Sequence, residues 1–206
     1  MNKIIDYYNS KIIEYGLSPR GVDWKNSEGQ LLRFDMLLRA LDIQDSNVEG
    51  SLLDFGCGNG ELARYLAEKS STLNYFGYDL SPEMIKVASR RLDILSGSEF
   101  SDQLPSNREW DFVIASGTFN VKLDEDAESW GNYVKSTLLQ IKEQTRVAFA
   151  FNLLTSYSDR HLQSARLYYA SPEELFEFCV TEIGRNVSIF HHYGLYEMTI
   201  GIRIGD

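Results

Sequence analysis

The sequence predicts an α/β fold, a doubly wound and mostly parallel sheet of seven strands preceded by helices. From Gly50 onward, short apolar runs alternate with segments of helical periodicity, the pattern of a parallel sheet with crossover helices. Gly56, Gly58 and Gly60 directly follow the first apolar run, where such a sheet makes its tight strand-to-helix turn. The chain closes on two β-rich segments with no helix between them, and these predict an antiparallel hairpin at one edge.

Two helices are predicted before the sheet, over residues 2–15 and 27–41. Between them, residues 16–21 contain two glycines and a proline, which favour a loop. The second helix carries one apolar stripe for packing against another layer, because its apolar residues fall at helical spacing. That stripe consists of Leu31, Phe34, Leu37, Leu38 and Leu41.

Strands and helices alternate through the rest of the chain. The strands are predicted at residues 51–55, 73–78, 99–100, 110–115, 146–154, 186–192 and 196–204. The helices are predicted at 61–69, from Ser81 onward, at 127–144, and from Ser171 to about 183. Ser81 is predicted at an N-cap with Pro82 at the first helical position, and the run Ser171-Pro172-Glu173-Glu174 has the spacing of a capping box.

Composition excludes several classes of protein. Lys and Arg number 20 against 30 Asp and Glu, a formal net charge of −10, and no basic run is present to meet nucleic-acid phosphates. No stretch approaches the roughly 20 apolar residues of a membrane helix, and the N-terminus lacks a signal-peptide pattern. Cys57 and Cys179 form neither a disulfide framework nor a metal-ligand set. We therefore expect a cytoplasmic protein with no metal and no nucleic-acid or membrane partner; the oligomeric state stays open.

The strongest chemical signal is the run from Leu52 to Gly60, Leu-Leu-Asp-Phe-Gly-Cys-Gly-Asn-Gly. Glycines let the backbone of this turn lie against a ligand, and the helix that follows points its positive end at the site. A nicotinamide dinucleotide site would require G-x-G-x-x-G, but Glu61 occupies the position of the third glycine. Asp54, at the end of the strand, suits a cationic ligand better than a phosphate. Its alternative role is to orient the amides of the turn.

A second signal is Asp79, which lies 19 residues past Gly60 at the carboxyl end of the second strand. A carboxylate there can accept hydrogen bonds from both hydroxyls of a ribose. The alternative is a role in capping the next helix. One motif alone would be weak, but the two occur together at the right spacing and in the right strand–helix context.

Together, Asp54–Gly60 and Tyr78–Met84 resemble the first and second motifs of the class I methyltransferases that use S-adenosylmethionine (SAM). The core of the resemblance is residues 50–120, and the overall pattern is similar to short stand-alone bacterial methyltransferases. It implies a seven-stranded sheet of order 3-2-1-4-5-7-6 with strand seven antiparallel. It also implies a single domain, in which residues 1–45 form an N-terminal helical lid and residues 46–206 a Rossmann-like core.

The resemblance also implies roles around the cofactor, SAM. The first two glycines of the turn would approach its methionine part, Asp79 its ribose and Leu80 its adenine face. Asp102, after strand three, is the candidate for the adenine amino group, and Ser116, after strand four, lies near the methyl group. Cys57 is expected only to fill space as a small buried residue. The expected cofactor-binding residues are Asp54, Gly56, Cys57, Gly58, Gly60, Asp79, Leu80, Asp102 and Ser116.

No motif identifies the methyl acceptor. Residues 155–170 form a long connection after strand five, at the strand ends where open α/β sheets place their ligands. This connection is rich in Tyr, Arg and His, although a solvated loop is the alternative interpretation. Trp24 could cover the pocket or serve only to dock the first helices. The expected substrate-binding residues are Asn120, Tyr157, Tyr168 and Tyr169.

The reaction implied is transfer of the SAM methyl to an oxygen or nitrogen of a small molecule. No catalytic residue is assigned, because the cofactor carries the difficult chemistry. Two alternatives stay open: an aminopropyl-type transferase on the same fold, and a non-catalytic SAM-binding protein with a regulatory or scaffolding role. The glycine turn and Asp79 argue for binding and do not separate these possibilities.

Overall fold

The computed structural model describes residues 2–24 and 26–205, which form helices and strands close to the predicted ones. The helices are α1 (Asn2–Tyr15), α2 (Ser27–Leu41), α3 (Glu61–Glu68), α4 (Pro82–Ala88), α5 (Ala127–Glu143) and α6 (Pro172–Phe178). The strands are β1 (Ser51–Phe55), β2 (Asn74–Tyr78), β3 (Glu99–Ser101), β4 (Trp110–Ala115), β5 (Thr145–Thr155), β6 (Tyr169–Ala170), β7 (Val187–His191) and β8 (Glu197–Arg203). A π-helical turn at Cys179–Ile183 completes the helix predicted to reach residue 183.

The main path of the sheet runs β3-β2-β1-β4-β5-β8-β7. Strands β1 to β5 pair in parallel, whereas β8 is antiparallel to both β5 and β7. With β7 and β8 counted as the sixth and seventh long strands, this confirms the predicted order and the antiparallel hairpin.

The sequence did not predict the two-residue strand β6, which lies in the long connection after β5. It pairs in parallel with Leu154 and Thr155. Strand β4 pairs with β5 only as far as Ala115, opposite Phe151, so that edge of β5 is free beyond this point. Strand β6 occupies the free edge, and the same connection contains a 3-10 turn at Arg160–Leu162.

Helices cover both faces of the sheet. On one face, α5 and α6 and the turn after them contribute buried side chains: Trp130, Val134, Leu138, Ile141, Leu175 and Cys179. On the other face, α2 and α3 do the same with Phe34, Leu37, Leu41, Leu62 and Leu66. The apolar stripe predicted for the second helix therefore packs on the sheet, and α2 belongs to one of the two helical layers.

Helix α1 lies outside these two layers. It contacts α4 and a 3-10 turn at Pro19–Val22, and it faces the carboxyl ends of β1, β2 and β4 across a cleft. We call residues 2–24, which comprise α1 and this turn, the covering segment. Over the described ranges, no helix has both the length and the apolar composition needed to cross a membrane.

Candidate active site

The turn between β1 and α3 adopts a backbone that only glycine takes easily. Its φ angles are +83° at Gly56, +53° at Gly58 and +77° at Gly60, all in the left-handed region. A Cβ atom at Gly56 would lie 2.5 Å from the hydroxyl of Thr118, and one at Gly58 would lie 2.9 Å from Val22. Side chains are excluded here by both conformation and space, so the turn presents bare backbone to the cleft.

Asp79 links the two sequence motifs. Its Oδ2 accepts a hydrogen bond from the amide of Gly58, and its Oδ1 accepts one from the amide of Ser81, both at 2.9 Å. Burial raises the pKa of Asp79, and the two amide hydrogen bonds oppose that rise. Each carboxylate oxygen can accept a further hydrogen bond. The residue therefore braces the turn and the start of α4 while still lining the cleft.

Asp54 lies under the glycine turn and is 2% exposed. Its carboxylate accepts a hydrogen bond from the hydroxyl of Tyr75 at 2.6 Å. Burial raises the pKa of Asp54 to about 7, against the lowering effect of this hydrogen bond. The amides of Gly56 and Cys57 donate to the carbonyl of Tyr78, at 2.7 and 2.9 Å. The carbonyl at the end of β2 thus holds the first two amides of the turn. Asp54 lines the cleft and is bonded from behind by Tyr75 of β2.

The cleft encloses about 960 Å³, counted with its open mouth. It is bounded by the glycine turn, the ends of β2 and β4, the covering segment, α2 and the start of α5. In the described part of the chain, the charged side chains that line it are all acidic: Asp54, Glu61 and Asp79. Glu61 is neutralised by ion pairs with Arg64 and Arg91. A cationic ligand is favoured over a phosphate by this lining.

Hydrogen bonds hold the covering segment in place. The hydroxyl of Ser81, at the start of α4, donates to Oδ1 of Asn9 at 2.6 Å. Within the segment, Asp23 accepts from the hydroxyl of Tyr7 at 2.7 Å and pairs with Lys11 at 2.9 Å. Helix α1 is therefore tied both to the 3-10 turn and to the motif that carries Asp79.

The covering segment ends on Trp24, whose ring lies against the backbone that follows β4. Gly117, in that backbone, has a φ of +68°, and a Cβ there would lie 2.3 Å from Cζ2 of the indole. The guanidinium carbon of Arg33 lies 4.0 Å from the centre of the same ring. The indole is thus held between Gly117 and a cation from α2.

Two buried polar atoms in the cleft lining have no hydrogen-bond partner among the described residues. They are the side-chain oxygens Oγ of Ser116 and Oδ1 of Asn59. An unsatisfied buried polar atom costs about 1–3 kcal/mol, so a polar ligand in the cleft would be favoured. The bare glycine cradle, the acidic lining and these two oxygens fit a ligand such as SAM, which has hydroxyl and amino donors and carries positive charge.

The structure brings most of the predicted cofactor-binding residues to the cleft. Those in its lining are Asp54, Gly56, Cys57, Gly58, Asp79, Leu80 and Ser116. Gly60 begins α3 behind the turn, and Asp102 is exposed outside the lining. Asn120 is buried outside it too: its Oδ1 accepts from the amide of Leu154 at 3.1 Å, and its carbonyl accepts from that of Tyr168 at 2.8 Å. The roles of these residues stay predictions.

The three predicted tyrosines lie outside the lining of the cleft. Tyr157 is 62% exposed, and its hydroxyl donates to Glu173. The hydroxyl of Tyr168 packs close to Gly131 of α5. The hydroxyl of Tyr169 accepts from a backbone amide of its own connection at 3.0 Å. Tyr168 and Tyr169 line a separate groove, and Tyr157 lies on the exposed surface. Their contact with the acceptor stays a prediction from the sequence.

The histidines also lie away from the cleft. His161 is exposed, and Nε2 of His191 lies 2.9 Å from the hydroxyl of Thr155. Among residues 2–24 and 26–205, no cluster of three or more His, Cys, Asp or Glu side chains is arranged to hold a metal ion.

Comparison with known proteins decides the family. A methyltransferase domain family matches residues 26–183, which is most of the chain and includes the whole glycine turn and Asp79. The chain belongs to this methyltransferase family. The family and reaction class predicted from the two motifs, a SAM-dependent methyltransferase, are thereby confirmed.

Relatives and a solved structure agree with this assignment. A protein of Mycobacterium tuberculosis named as a methyltransferase is 39% identical over 153 residues, which are 74% of this chain and 92% of that protein. The malonyl-[acyl-carrier protein] O-methyltransferase of Priestia megaterium is 24% identical, and the match covers 67% of this methyltransferase and 48% of that enzyme. Magnesium protoporphyrin IX methyltransferase of Synechocystis, solved with bound SAH, superposes with a TM-score of 0.71 over 99% of both chains, at 15% identity. That last similarity shows the shared fold.

Proposed function

We propose that this methyltransferase transfers the SAM methyl to an oxygen or nitrogen of a small molecule bound beneath the covering segment. The observation that supports this most strongly is the cleft itself. It combines a bare glycine turn, a carboxylate at Asp79 and, facing them, the covering segment. A cleft covered by helix α1 and the turn after it suits a small acceptor better than a folded polymer.

The proposed cofactor placement follows the lining. The turn at Gly56 and Gly58 takes the methionine part, and Asp79 accepts from the ribose hydroxyls. Leu80, which is 38% exposed, lies against adenine, and the unpaired hydroxyl of Ser116 meets a polar group near the sulfur. Bound there, SAM supplies a methyl group already made electrophilic by its sulfonium. The acidic, lysine- and arginine-free lining of the described residues supports this placement of a cation.

The acceptor is proposed to lie between the end of β4 and the lining contributed by α1, Trp24, α2 and α5. Aromatic rings of Tyr8, Trp24, Trp130 and Tyr133 line that part of the cleft. Gln30, which is 5% exposed, adds an amide that can donate and accept. Such a lining orients an aromatic or apolar molecule through its faces and one polar group.

The contribution of the chain to the reaction is alignment and exclusion of water. No imidazole lines the cleft in the described residues, and burial raises the pKa of Tyr8, so its hydroxyl stays protonated near neutral pH and is not available as a base. The covering segment closes the site so that the acceptor atom and the methyl group meet without competing water. An acceptor that is already nucleophilic near neutral pH suits this site.

Incubation with methyl-labelled SAM and a fractionated metabolite extract tests the proposal. We expect label in the low-molecular-mass fraction with the wild type and a large reduction with Asp79→Ala. The matched control is Asp45→Ala, an exposed carboxylate in the loop before β1 that accepts hydrogen bonds from Asn47. Label confined to RNA, DNA or protein, or equal labelling by Asp79→Ala, would contradict the proposal.

We further propose that the protein works in the cytoplasm without nucleic-acid partners. Two cysteines that are free and buried, and a formal net charge of −10, support this.

A further inference from the structure

A chain of buried polar contacts connects α2 to the backbone after β4. Glu197, the first residue of β8, is 0% exposed, and Arg33 donates to it from Nε at 2.8 and 2.9 Å and from a terminal nitrogen at 2.5 Å. Oε2 of Glu197 also accepts from Nδ2 of Asn152 at 2.7 Å. The side-chain oxygen of Asn152, which is also 0% exposed, accepts from the amide of Gly117 at 2.7 Å.

The two ends of this chain meet at the cleft. At one end the guanidinium of Arg33 stacks on Trp24, 4.0 Å from the ring centre. At the other end the chain fixes the peptide of Gly117, on which that indole rests. Trp24 and Gly117 are therefore in direct contact and are also joined through three side chains: the partly buried Arg33 and the fully buried Glu197 and Asn152. Both residues line the cleft beside Ser116.

Stability alone is a weak explanation for such an arrangement. Removing a carboxylate and a guanidinium from water is costly, and apolar side chains of similar size often serve equally well. Here the ion pair orients an amide and a ring that both border the reaction site. Groups that hold a backbone amide and a cover in one geometry are those that a methyl transfer requires, because transfer is sensitive to alignment.

We propose that Arg33, Glu197 and Asn152 are positioning residues that lock Trp24 of the covering segment to the Gly117 peptide. In this arrangement the cofactor's sulfur end borders both residues in the cleft while the indole rests on the Gly117 peptide. The inference rests on the proposed cofactor placement. It assigns these three side chains no contact with reacting atoms.

A double-mutant cycle on binding of S-adenosylhomocysteine (SAH), the demethylated cofactor, tests this lock without a known acceptor. We expect Trp24→Ala and Asn152→Leu each to weaken SAH binding by roughly tenfold, measured by calorimetry. Because both changes break the same link between Trp24 and the Gly117 peptide, the SAH affinity of the double variant should also fall by only roughly tenfold. The control is Thr199→Val on β8, the strand that carries Glu197; its buried hydroxyl hydrogen-bonds to Tyr193 instead of to Arg33, Glu197 or Asn152. Its SAH affinity should stay within about twofold of the wild type.

Two results would overturn the lock: a double variant that loses the product of the two single effects, or a single variant with wild-type affinity. If Asn152→Leu does not fold, Glu197→Gln keeps the shape of the side chain and removes its charge, and it should show the same non-additivity with Trp24→Ala. Asp79→Ala, measured in parallel, separates the two ideas. If it weakens SAH binding while the cycle is additive, the lock fails and the cofactor placement stands; if it leaves SAH binding unchanged, the placement itself fails.

Discussion

The indole of Trp24 occupies the space that a side chain at Gly117 would need. A Cβ on Gly117 would lie 2.3 Å from Cζ2 and 2.5 Å from Cη2 of that ring. Because these atoms belong to a rigid ring that also stacks on Arg33, any larger residue at 117 must displace the indole at the end of the covering segment. Gly117 therefore both permits the local backbone conformation and leaves room for Trp24 of the covering segment.

We expect Gly117→Ala to weaken SAH binding and to speed amide hydrogen exchange in residues 20–24. The clash displaces Trp24, and the φ of +68° adds backbone strain of about 1 kcal/mol. Gly97→Ala is the matched control, because Gly97 has a φ of +79° and no atom within 4 Å of its added Cβ. It carries the strain without the clash. Equal effects of the two substitutions on SAH binding would show that the Trp24 contact is unimportant.

The raised pKa of Asp54 makes the free energy of unfolding depend on pH. Its carboxyl has a pKa of about 7 in the folded protein, raised from 3.8 by burial. Between these values the folded state holds a proton that the unfolded state has lost, so the free energy of unfolding falls as pH rises from about 4 to 7. Asp54→Asn removes this contribution, and the variant should gain up to about 4 kcal/mol relative to the wild type between pH 4 and pH 8.

Urea unfolding of both proteins across this pH range measures the effect. The control is Asp111→Asn, whose carboxyl has its pKa lowered in the folded state by hydrogen bonds from Ser51 and by Arg146. That contribution has the opposite sign: it is present above the unfolded pKa and lost only as pH falls. Stability curves for wild type and Asp54→Asn that run parallel from pH 4 to 8 would mean that Asp54 does not titrate as described.

Two places are candidates for the acceptor site: the cleft, and the connection over residues 155–170 that carries the three tyrosines. Gln30 lines the cleft, so Gln30→Leu should reduce labelling of the metabolite fraction by about tenfold or more while SAH affinity changes little. The sequence alone predicts that the pair Tyr168→Ala and Tyr169→Ala has this effect. From the position of these tyrosines outside the lining, we expect that pair to retain most of its transfer activity. A loss of transfer in the tyrosine pair with unchanged Gln30→Leu activity would relocate the acceptor.

Charge predicts weak association with nucleic acid. At a formal net charge of −10, binding to tRNA or duplex DNA should be undetectable at micromolar protein and physiological salt. Filter binding or fluorescence anisotropy over a salt series measures this. Micromolar affinity with a steep salt dependence would contradict the small-molecule assignment.

The order of the sheet and the cofactor side of the cleft were predictable because both depend on local patterns. Alternating apolar runs fix strands and helices, and the left-handed glycines at 56, 58 and 60 can be recognised from composition and spacing alone. Asp79 was predictable for the same reason, since its distance from the turn is set by one strand–helix–strand unit.

The rest depends on contacts between residues far apart in the chain. Arg33 and Glu197 are 164 positions apart, and no local pattern joins them. A polar residue inside an apolar strand, such as Asn152 between Phe151 and Leu153, was the one available hint. Strand β6 was not predicted either. Two residues are too few to show the alternation of a strand, and the free edge of β5 with which they pair exists only in the folded sheet. Tyr8 and Asn59 were not predicted to line the cleft, because an ordinary helix position and an ordinary turn position account for them in the sequence.

We propose that SAM lies against the glycine turn with its ribose on Asp79. Calorimetric titration of SAM and SAH into the wild type and Asp79→Ala tests it most directly. We expect one site per chain in the wild type and an affinity lower by roughly 1–3 kcal/mol in the variant, because the acceptor for the ribose hydroxyls and the hydrogen bond to the Gly58 amide are both lost. Wild-type affinity for both ligands in a folded Asp79→Ala variant would contradict the claim.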